Sequence, residues 1–336
     1  MGGSFGIMSL VAGRMIKGSM KNKNPILIFG LGSAGKRFAE ILDAKGFEVY
    51  VYKHKKDLDT SPFSPMTNLD DLNNYYAAII SSPTATHLAY LEKLVEGDVP
   101  TLVEKPLADD METAKKVINL ARKKGSKILV GFNLRYLPIV EKISELLKDG
   151  ALGKILHADI YVGQYLPDWR PNKDYRQSYS ASLAAGGGVA LDLIHEVDLL
   201  QTWFSKTDLK LIKSTKLSDL EIDTEDFVQF IAASRPYVRV TLDYLNMIKT
   251  RRYIIVGSKG AIECDVFGKK FTYKSKENQE EILTDESLFD IKKTYESELG
   301  DFLDKVEGGK DFDLSDRSLG LDSLKLAVEA RENVQR

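Results

Sequence analysis

The sequence holds very little cysteine, few histidines and no long apolar run. Its one cysteine, Cys264, excludes an internal disulfide and a cysteine-rich zinc site. No apolar stretch approaches the roughly 20 residues that a membrane helix needs. Lysine and arginine total 47 against 49 acidic residues, without a long run of one sign, so we expect neither nucleic acid nor a membrane as partner. These features favour the cytoplasm.

The length of 336 residues allows two domains, since single cores stop growing near about 250 to 300 residues. In residues 1–24 the basic residues follow the short apolar piece, unlike a signal peptide, so we expect an extension or tag without function. Alternating apolar runs and helical patterns over residues 25–136 predict a doubly wound parallel sheet. Extended, β-branched segments dominate residues 137–336 and predict an α/β domain with a large, mainly antiparallel open sheet.

A glycine motif follows the first predicted strand, in "PILIFGLGSAGKRF". Gly30, Gly32 and Gly35 have the G-x-G-x-x-G spacing, which allows a tight turn, a close approach of pyrophosphate and close helix packing. The amides of Ser33 and Ala34 would then face the phosphates at the helix start. The alternative is an ordinary glycine turn. The strand-turn-helix context favours a dinucleotide site.

The second predicted strand ends in "YKHKK" and carries no carboxylate at its tip. NAD-binding chains usually offer an acidic residue there to the ribose 2′-hydroxyl. Lys53 and its basic neighbours would instead suit a 2′-phosphate, although such a cluster can also be a solvated loop. The pattern favours NADP over NAD.

Two further motifs carry reactive side chains. "TLVEKPLA" ends a predicted strand on Glu104 and Lys105, and ligands bind at the carboxyl ends of such strands. "GGGVALDLIHEVD" places Asp192, His195 and Asp198 on an almost wholly apolar helix, with Asp192 and His195 on one face. Proton transfer, packing and metal binding are the possible reasons. No metal-ligand spacing such as H-E-x-x-H supports a metal, so we predict none.

The ordered set "GLGSAG", "SSPTATH", "EKPLA", "GFNLRY" and "GGG…D…H" resembles the glucose-fructose oxidoreductase, inositol dehydrogenase and rhizopine-catabolism (Gfo/Idh/MocA) family, from about Pro25 to the C-terminus. The resemblance implies an N-terminal Rossmann domain and a substrate domain whose open sheet forms a homodimer or homotetramer. It also implies hydride transfer between NAD or NADP and a hydroxyl or keto group of a sugar, sugar derivative or nucleotide sugar. The form "DLIHEVD" resembles a branch associated with polysaccharide and acidic-sugar biosynthesis.

The resemblance also implies roles for single residues. Lys105 would stabilise the charge on the reacting oxygen, His195 would be the general base, and Asp192 would orient His195 or the substrate. The family commonly spaces the last pair four residues apart, whereas here the spacing is three and Glu196 follows. Which acid supports His195 therefore stays open. The predicted catalytic residues are Lys105, His195 and Asp192; the cofactor-binding residues are Gly30, Gly32, Ser33, Ala34, Gly35, Lys53, Ser82, Pro83, Thr84, Glu104 and Lys105; the substrate-binding residues are Arg135, Tyr136, Trp169, Arg170, Asp192 and His195.

The substrate candidates come from two places. Arg135 and Tyr136 follow a strand tip, and Trp169 and Arg170 belong to an aromatic and basic segment that precedes the glycines. Arg170 or Arg176 could bind a carboxylate or phosphate through two parallel hydrogen bonds, but a purely structural arm is an equal alternative. His87 receives no catalytic role. Two other functions stay open: an NAD-dependent glycosidase of the same family and a non-catalytic NAD(P)-binding sensor, against which the presence of Lys105 and His195 argues.

Overall fold

The computed structural model describes residues 25–53, 55, 58–204, 207–277 and 279–335. The predicted N-terminal extension, residues 1–24, lies outside this part of the chain. Two sheets with flanking helices form the fold, as predicted for an α/β protein. None of the helices in the described ranges is long and apolar enough to cross a membrane.

The first sheet has six strands in the order β3-β2-β1-β4-β5-β6, and every pairing is parallel. The central strands read ILIF and AAII and are buried throughout, as expected where helices cover both faces. This confirms the predicted doubly wound sheet. Its elements are β1 (Ile26–Phe29), α1 (Ser33–Ala44), β2 (Val49–Tyr52), β3 (Ser64–Met66), β4 (Ala77–Ile80), α2 (His87–Glu96), β5 (Thr101–Glu104), α3 (Met111–Lys124) and β6 (Ile128–Gly131).

The second sheet has eight strands in the order β14-β13-β12-β11-β7-β10-β9-β8, and only the pairing of β7 with β10 is parallel. It confirms the predicted, mainly antiparallel sheet. The remaining elements are α4 (Pro138–Lys148), β7 (Ile155–Gly163), α5 (Val189–Asp192), α6 (Ile194–Trp203), β8 (Lys210–Thr215), β9 (Phe227–Ala232), β10 (Tyr237–Asp243), β11 (Thr250–Gly257), β12 (Gly260–Asp265), β13 (Lys270–Ser275), β14 (Glu280–Leu283), α7 (Ile291–Val306) and α8 (Leu321–Glu332).

One face of the second sheet is covered and the other is open. Helices α5 and α6 contact the central strands, and α8 packs on β8. Along β10 the residues alternate, so that Val238 and Val240 are buried whereas Tyr237 and Arg239 are exposed. This alternation is typical of an antiparallel sheet with one solvated face.

Helix α7 comes late in the chain but packs beside the first sheet. Its residues Leu299 and Phe302 share a buried cluster with Ile26, Ile28 and Phe38. The C-terminal part of the chain therefore contributes to the core of the N-terminal part. The domain division at residue 136 stays a prediction.

Candidate functional site

The three glycines of the first turn have different environments. Gly30 has φ 96°, and a Cβ added to it would lie 2.7 Å from the backbone of Ser82. A Cβ on Gly35 would lie 2.0 Å from the carbonyl oxygen of Gly30, so protein packing requires both glycines. A Cβ on Gly32 would meet nothing within 4 Å. Gly32 therefore borders open space beside the turn, where a pyrophosphate fits.

Helix α1 begins directly after Gly32, which is its N-cap. The amides of its first turn, including those of Ser33 and Ala34, have no partner within the helix, and a helix N-terminus favours an anion. Strand β2 lies next to β1 and ends just before Lys53, so that Lys53 reaches the same edge of the sheet. Its basic neighbours His54 and Lys56 lie outside the described residues. The open turn, the helix N-terminus and Lys53 thus lie at one edge of the sheet, where they could hold a dinucleotide.

The predicted cofactor-binding residues Ser82, Pro83 and Thr84 form a loop that the family resemblance places beside the cofactor ribose, and it is called the ribose loop here. The histidine that follows this loop holds it in place. The side chains of Ser82 and Thr86 share a hydrogen bond of 2.7 Å. The ring of His87, at the start of α2, lies between two backbone carbonyls, 2.8 Å from that of Ser82 and 3.0 Å from that of Pro106. Burial lowers the pKa of His87, which is fully enclosed. His87 thus joins the loop to the bend after Lys105, a positioning role that sequence reasoning missed.

Lys105 lies at the carboxyl end of β5 and reaches across to the second half of the chain. Its ammonium donates a hydrogen bond of 2.7 Å to the backbone carbonyl of Asp192. The peptide bond between Lys105 and Pro106 is cis. Glu104 accepts the Lys105 amide at 3.2 Å, and burial raises the Glu104 pKa to about 7. Two of the predicted catalytic residues are therefore in contact, through the side chain of Lys105 and the backbone of Asp192.

The carboxylate of Asp192 faces two tyrosines. Tyr244 donates a hydrogen bond of 2.7 Å to it, and the hydroxyl of Tyr179 interacts with it from the preceding loop. Burial, reinforced by the charge of Asp192, raises the pKa of each of these tyrosines well above the usual value for tyrosine. Both phenols therefore stay protonated and can donate. Neither tyrosine was selected from the sequence, because nothing in the local pattern links them to Asp192.

His195 lies one turn after Asp192, but the expected single helix is wrong. Helix α5 ends at Asp192 and α6 begins at Ile194, with Leu193 at φ −102° and ψ 25° between them. The Nδ1 atom of His195 is buried without a hydrogen-bond partner among the described residues, while the side chain as a whole is partly exposed. Burial, aided by the positive charge of Lys105, holds the pKa of His195 well below its usual value.

Glu196 points away from His195. Its carboxylate pairs with Arg251 at 2.7 Å and accepts a hydrogen bond of 3.2 Å from Tyr253, both on β11 of the second sheet. Glu196 is completely buried. Within the described chain, neither its carboxylate nor that of Asp192 hydrogen-bonds His195. Glu196 is thus a structural partner of the sheet, and Asp192 is the acid on the side of Lys105.

The glycine run before α5 meets protein rather than open space. Gly186 has φ 80°, and its added Cβ would lie 3.2 Å from the side chain of Thr84 in the ribose loop. Gly188 has φ 119°, and its Cβ would lie 2.5 Å from the carboxylate of Glu225. That carboxylate accepts the Ala190 amide at 3.0 Å at the start of α5. Close packing against other protein atoms therefore requires glycine at these positions.

Arg135 and Tyr136 are both engaged by the protein. The guanidinium of Arg135 donates to the buried carboxylate of Asp198 at 2.8 Å and to two backbone carbonyls before α8. Tyr136 donates to Asp301 on α7 at 2.9 Å. These bonds join the β6 end of the first sheet to α6 and α7. A substrate role for the two residues stays a prediction, which these contacts do not favour.

Residues 164–185, called the arm here, connect β7 to the glycine run and line a cavity of about 430 Å³ that opens to solvent. The indole of Trp169 donates to the carbonyl of Gln164 at 3.1 Å and lies edge-on to Tyr244. The guanidinium of Arg170 lies 5.6 Å from the ring centre of Tyr179. The structure thereby brings Arg170 towards Asp192 through one tyrosine. The described residues contain no group of three or more histidine, cysteine or acidic side chains that could hold a metal.

Two family models match the chain in succession. A model described as an oxidoreductase family with an NAD-binding Rossmann fold matches residues 25–132, and the GFO/IDH/MocA C-terminal domain matches residues 140–263. A myo-inositol dehydrogenase of Streptomyces leeuwenhoekii is 26% identical over 258 residues, 73% of this chain and 74% of that protein. An inositol 2-dehydrogenase of Rubrobacter xylanophilus is 29% identical over 135 residues, 40% of this chain and 35% of that protein.

The alignments with that second protein and with four relatives of similar identity span only 29 to 43% of those proteins. Among solved structures, a levoglucosan dehydrogenase in complex with NADH has a TM-score of 0.77 at 18% identity, covering 92% of this chain and 96% of that one. At this identity the likeness shows a shared fold.

Proposed function

Because the chain belongs to the Gfo/Idh/MocA oxidoreductase family, we propose that it is an NAD(P)-dependent oxidoreductase acting on a hydroxyl or keto group of a sugar, sugar derivative or nucleotide sugar. The observation that carries this proposal is the contact of the Lys105 ammonium with Asp192, three residues before His195. The contact holds the Lys105 side chain, at the carboxyl edge of the first sheet, against the backbone that leads into His195. That edge also carries the open turn at Gly32.

The residues divide the chemistry between them. A dinucleotide held by the turn at Gly32 and the amides of Ser33 and Ala34 would supply the hydride acceptor for oxidation and the hydride donor for reduction. In the oxidation direction, His195 accepts the hydroxyl proton, since its lowered pKa keeps the imidazole neutral near pH 7. Lys105 donates to the same oxygen and stabilises the negative charge that develops there. In reduction the roles reverse, and His195 returns the proton.

Asp192 contributes in two ways, through its backbone carbonyl and through its carboxylate. Its carbonyl anchors the ammonium of Lys105, and its carboxylate is held by Tyr244 and faces Tyr179. We propose that this carboxylate binds or orients the substrate beside His195. Among the cofactor candidates, Ser82, Pro83 and Thr84 would border the ribose, and Glu104 would support the bend through its bond to the Lys105 amide.

NADP is the favoured dinucleotide in this proposal, since β2 ends without a carboxylate at Lys53. A lysine beside the ribose would pair with a 2′-phosphate, whereas it gains nothing from a free 2′-hydroxyl. Titration of the chain with NADPH and NADH measures the preference. Lys53→Ala should weaken NADPH binding and leave NADH binding unchanged; equal losses for both would contradict the preference.

The assembly and location belong to the same proposal. The open face of the second sheet, with Tyr237 exposed on β10, would be covered in a homodimer or homotetramer in the cytoplasm. Light scattering of the purified chain measures its mass directly. A monomer at micromolar concentration would contradict this part.

The activity is tested by a screen of cyclitols, neutral sugars, sugar acids and nucleotide sugars, followed through NAD(P)H absorbance in both directions. We expect turnover with at least one class and none with Lys105→Ala. A glycosidase of this family would retain its cofactor and release an aglycone without a net absorbance change. A chain that binds neither NADPH nor NADH would rule out the proposal.

A further inference from the structure

The cavity of the arm is lined by arm residues alone, between Leu166 and Ser180. Two cations, Arg170 and Lys173, are among them, and Asp174 is the one acidic residue of the lining. Asp174 is already paired, because the Nε of Arg176 lies 2.9 Å from one of its oxygens and 3.0 Å from the other. The Arg176 bonds accordingly lower the Asp174 pKa. The charged side chains of the lining that remain unneutralised are therefore the positive ones, Arg170 and Lys173.

Arg170 and Arg176 differ in how the protein uses them. Arg176 donates to Asp174 and, at 2.8 Å, to Glu221, so its guanidinium is neutralised from two sides. No ion pair with Arg170 is found in the described part of the chain. Arg170 lies over the ring of Tyr179 instead, which orients the guanidinium by a cation–π contact and leaves its donors for another acceptor.

Tyr179 connects this cavity to the reacting groups. Its ring centre is 5.6 Å from the guanidinium carbon of Arg170, and its hydroxyl interacts with the carboxylate of Asp192. The Asp192 carbonyl in turn accepts the ammonium of Lys105. The cavity and Lys105 are thus separated by little more than one phenol ring and one aspartate. An anionic group bound at Arg170 would therefore lie on the other side of Tyr179 from Asp192 and Lys105.

We propose that Arg170 and Lys173 form an anion subsite, through which the enzyme selects sugars carrying a carboxylate or phosphate. This inference rests on the proposed oxidoreductase function and narrows its substrate class. A guanidinium matches both anions with two parallel hydrogen bonds, and the ammonium adds a second charge. Neutral polar lining residues such as Asn172, Gln177 and Ser178 can bind the remaining oxygens.

The test is calorimetric binding of four probes to the complex with NADH: glucose, glucuronate, glucose 1-phosphate and UDP-glucose. The double variant Arg170→Gln, Lys173→Gln is compared with the wild type, and Lys115→Gln, which removes an exposed lysine of α3 outside the arm, is the control. We expect at least one anionic probe to bind about 10-fold or more tightly than glucose, with this advantage lost in the double variant and retained in the control. Glucuronate and glucose 1-phosphate distinguish a carboxylate from a phosphate.

Three results would overturn the subsite: equal binding of glucose and the anionic probes, an equal loss in Lys115→Gln, or no detectable binding of any anionic probe. NADH binding is measured first in all variants. A failure of the anion subsite can then be distinguished from a failure of the proposed oxidoreductase function. A chain that binds NADH and oxidises a neutral sugar without anion preference refutes the subsite alone. A wild-type chain that binds neither NADH nor NADPH refutes the proposed function.

Discussion

The ammonium of Lys105 and the backbone carbonyl of Asp192 are joined by a hydrogen bond of 2.7 Å, across 87 residues of sequence. The bond connects the end of β5 in the first sheet to the end of α5 beside the second. An ammonium has three donors, and the described residues supply no second acceptor for this one. The bond therefore aims Lys105 while leaving donors for a substrate oxygen.

Removal of that ammonium should affect turnover more than binding. We expect Lys105→Ala to lower kcat about 100-fold to 1000-fold for a confirmed substrate, as when one charge-stabilising donor is removed from an active site. Steady-state kinetics measure kcat, and NADPH titration shows whether the cofactor still binds. Lys115→Ala removes an exposed lysine of α3 and should change neither. Equal kcat in both variants would contradict the assigned role.

The pH dependence of oxidation should reflect the low pKa of His195. Burial first, and then the charges of Lys105, Arg251 and Arg135, disfavour the imidazolium. A base must be unprotonated, so kcat/KM for oxidation should stay level from about pH 8 down to about pH 6.5, the ordinary histidine pKa, and fall only below it. A pH profile measures this. A fall that begins above pH 6.5 would show that His195 is not the neutral base described here.

Substitutions of two glycines in the first turn should affect stability and cofactor binding differently. Gly32→Ala adds a Cβ that meets no protein atom within 4 Å, so we expect an unchanged Tm. The same methyl group would obstruct the pyrophosphate and weaken NAD(P)H binding. Gly30→Ala is the matched variant: its Cβ would lie 2.7 Å from Ser82 at φ 96°, so we expect it to destabilise the fold. Thermal unfolding and cofactor titration decide, and unchanged affinity in Gly32→Ala would count against the site.

Glu225 should make the fold less stable as pH rises. Burial raises its pKa from 4.5 to about 7, so between these values the folded chain retains a proton that the unfolded chain releases. The free energy of unfolding should therefore fall as pH increases through this range, by up to about 3 kcal/mol from this group. Urea unfolding at several pH values measures the slope. Glu225→Gln should reduce the slope, whereas Glu40→Gln, an exposed residue of α1, should leave it unchanged.

If the slope is the same in Glu225→Gln as in the wild type, the pH dependence comes from other groups. Glu104 is the first alternative, because burial raises its pKa to about 7 as well. The comparison of Glu225→Gln with Glu40→Gln isolates the contribution of Glu225 to the slope, because Glu104 contributes equally in both variants.

Local patterns were sufficient for the elements of the first sheet. The continuous apolar runs of β1 and β4 and the spacing of Gly30, Gly32 and Gly35 depend on neighbours within a few residues. The same holds for the alternation in the strands of the second sheet. The motifs that carry the family resemblance are also local, which is why they identified Lys105, Asp192 and His195 together.

The tertiary contacts of those residues and their neighbours could not be predicted from local patterns. The break at Leu193, which separates Asp192 from His195, follows no proline or glycine signal. Glu196 follows His195 directly in sequence, yet it pairs with Arg251, which lies on β11. Arg170 and Arg176 have the same chemistry and the same arm, but only one of them is neutralised by neighbouring carboxylates.

The sequence by itself determined the elements, the glycine turn and the set of reactive side chains, because hydrophobic period and backbone freedom act over short distances along the chain. The tertiary structure decided which of these side chains meet. Lys105 contacts Asp192 and Glu196 contacts Arg251 only after two sheets and their helices pack. The pKa of a buried group depends on that packing too, because residues far away in the chain exclude water from the group and supply the charges that surround it.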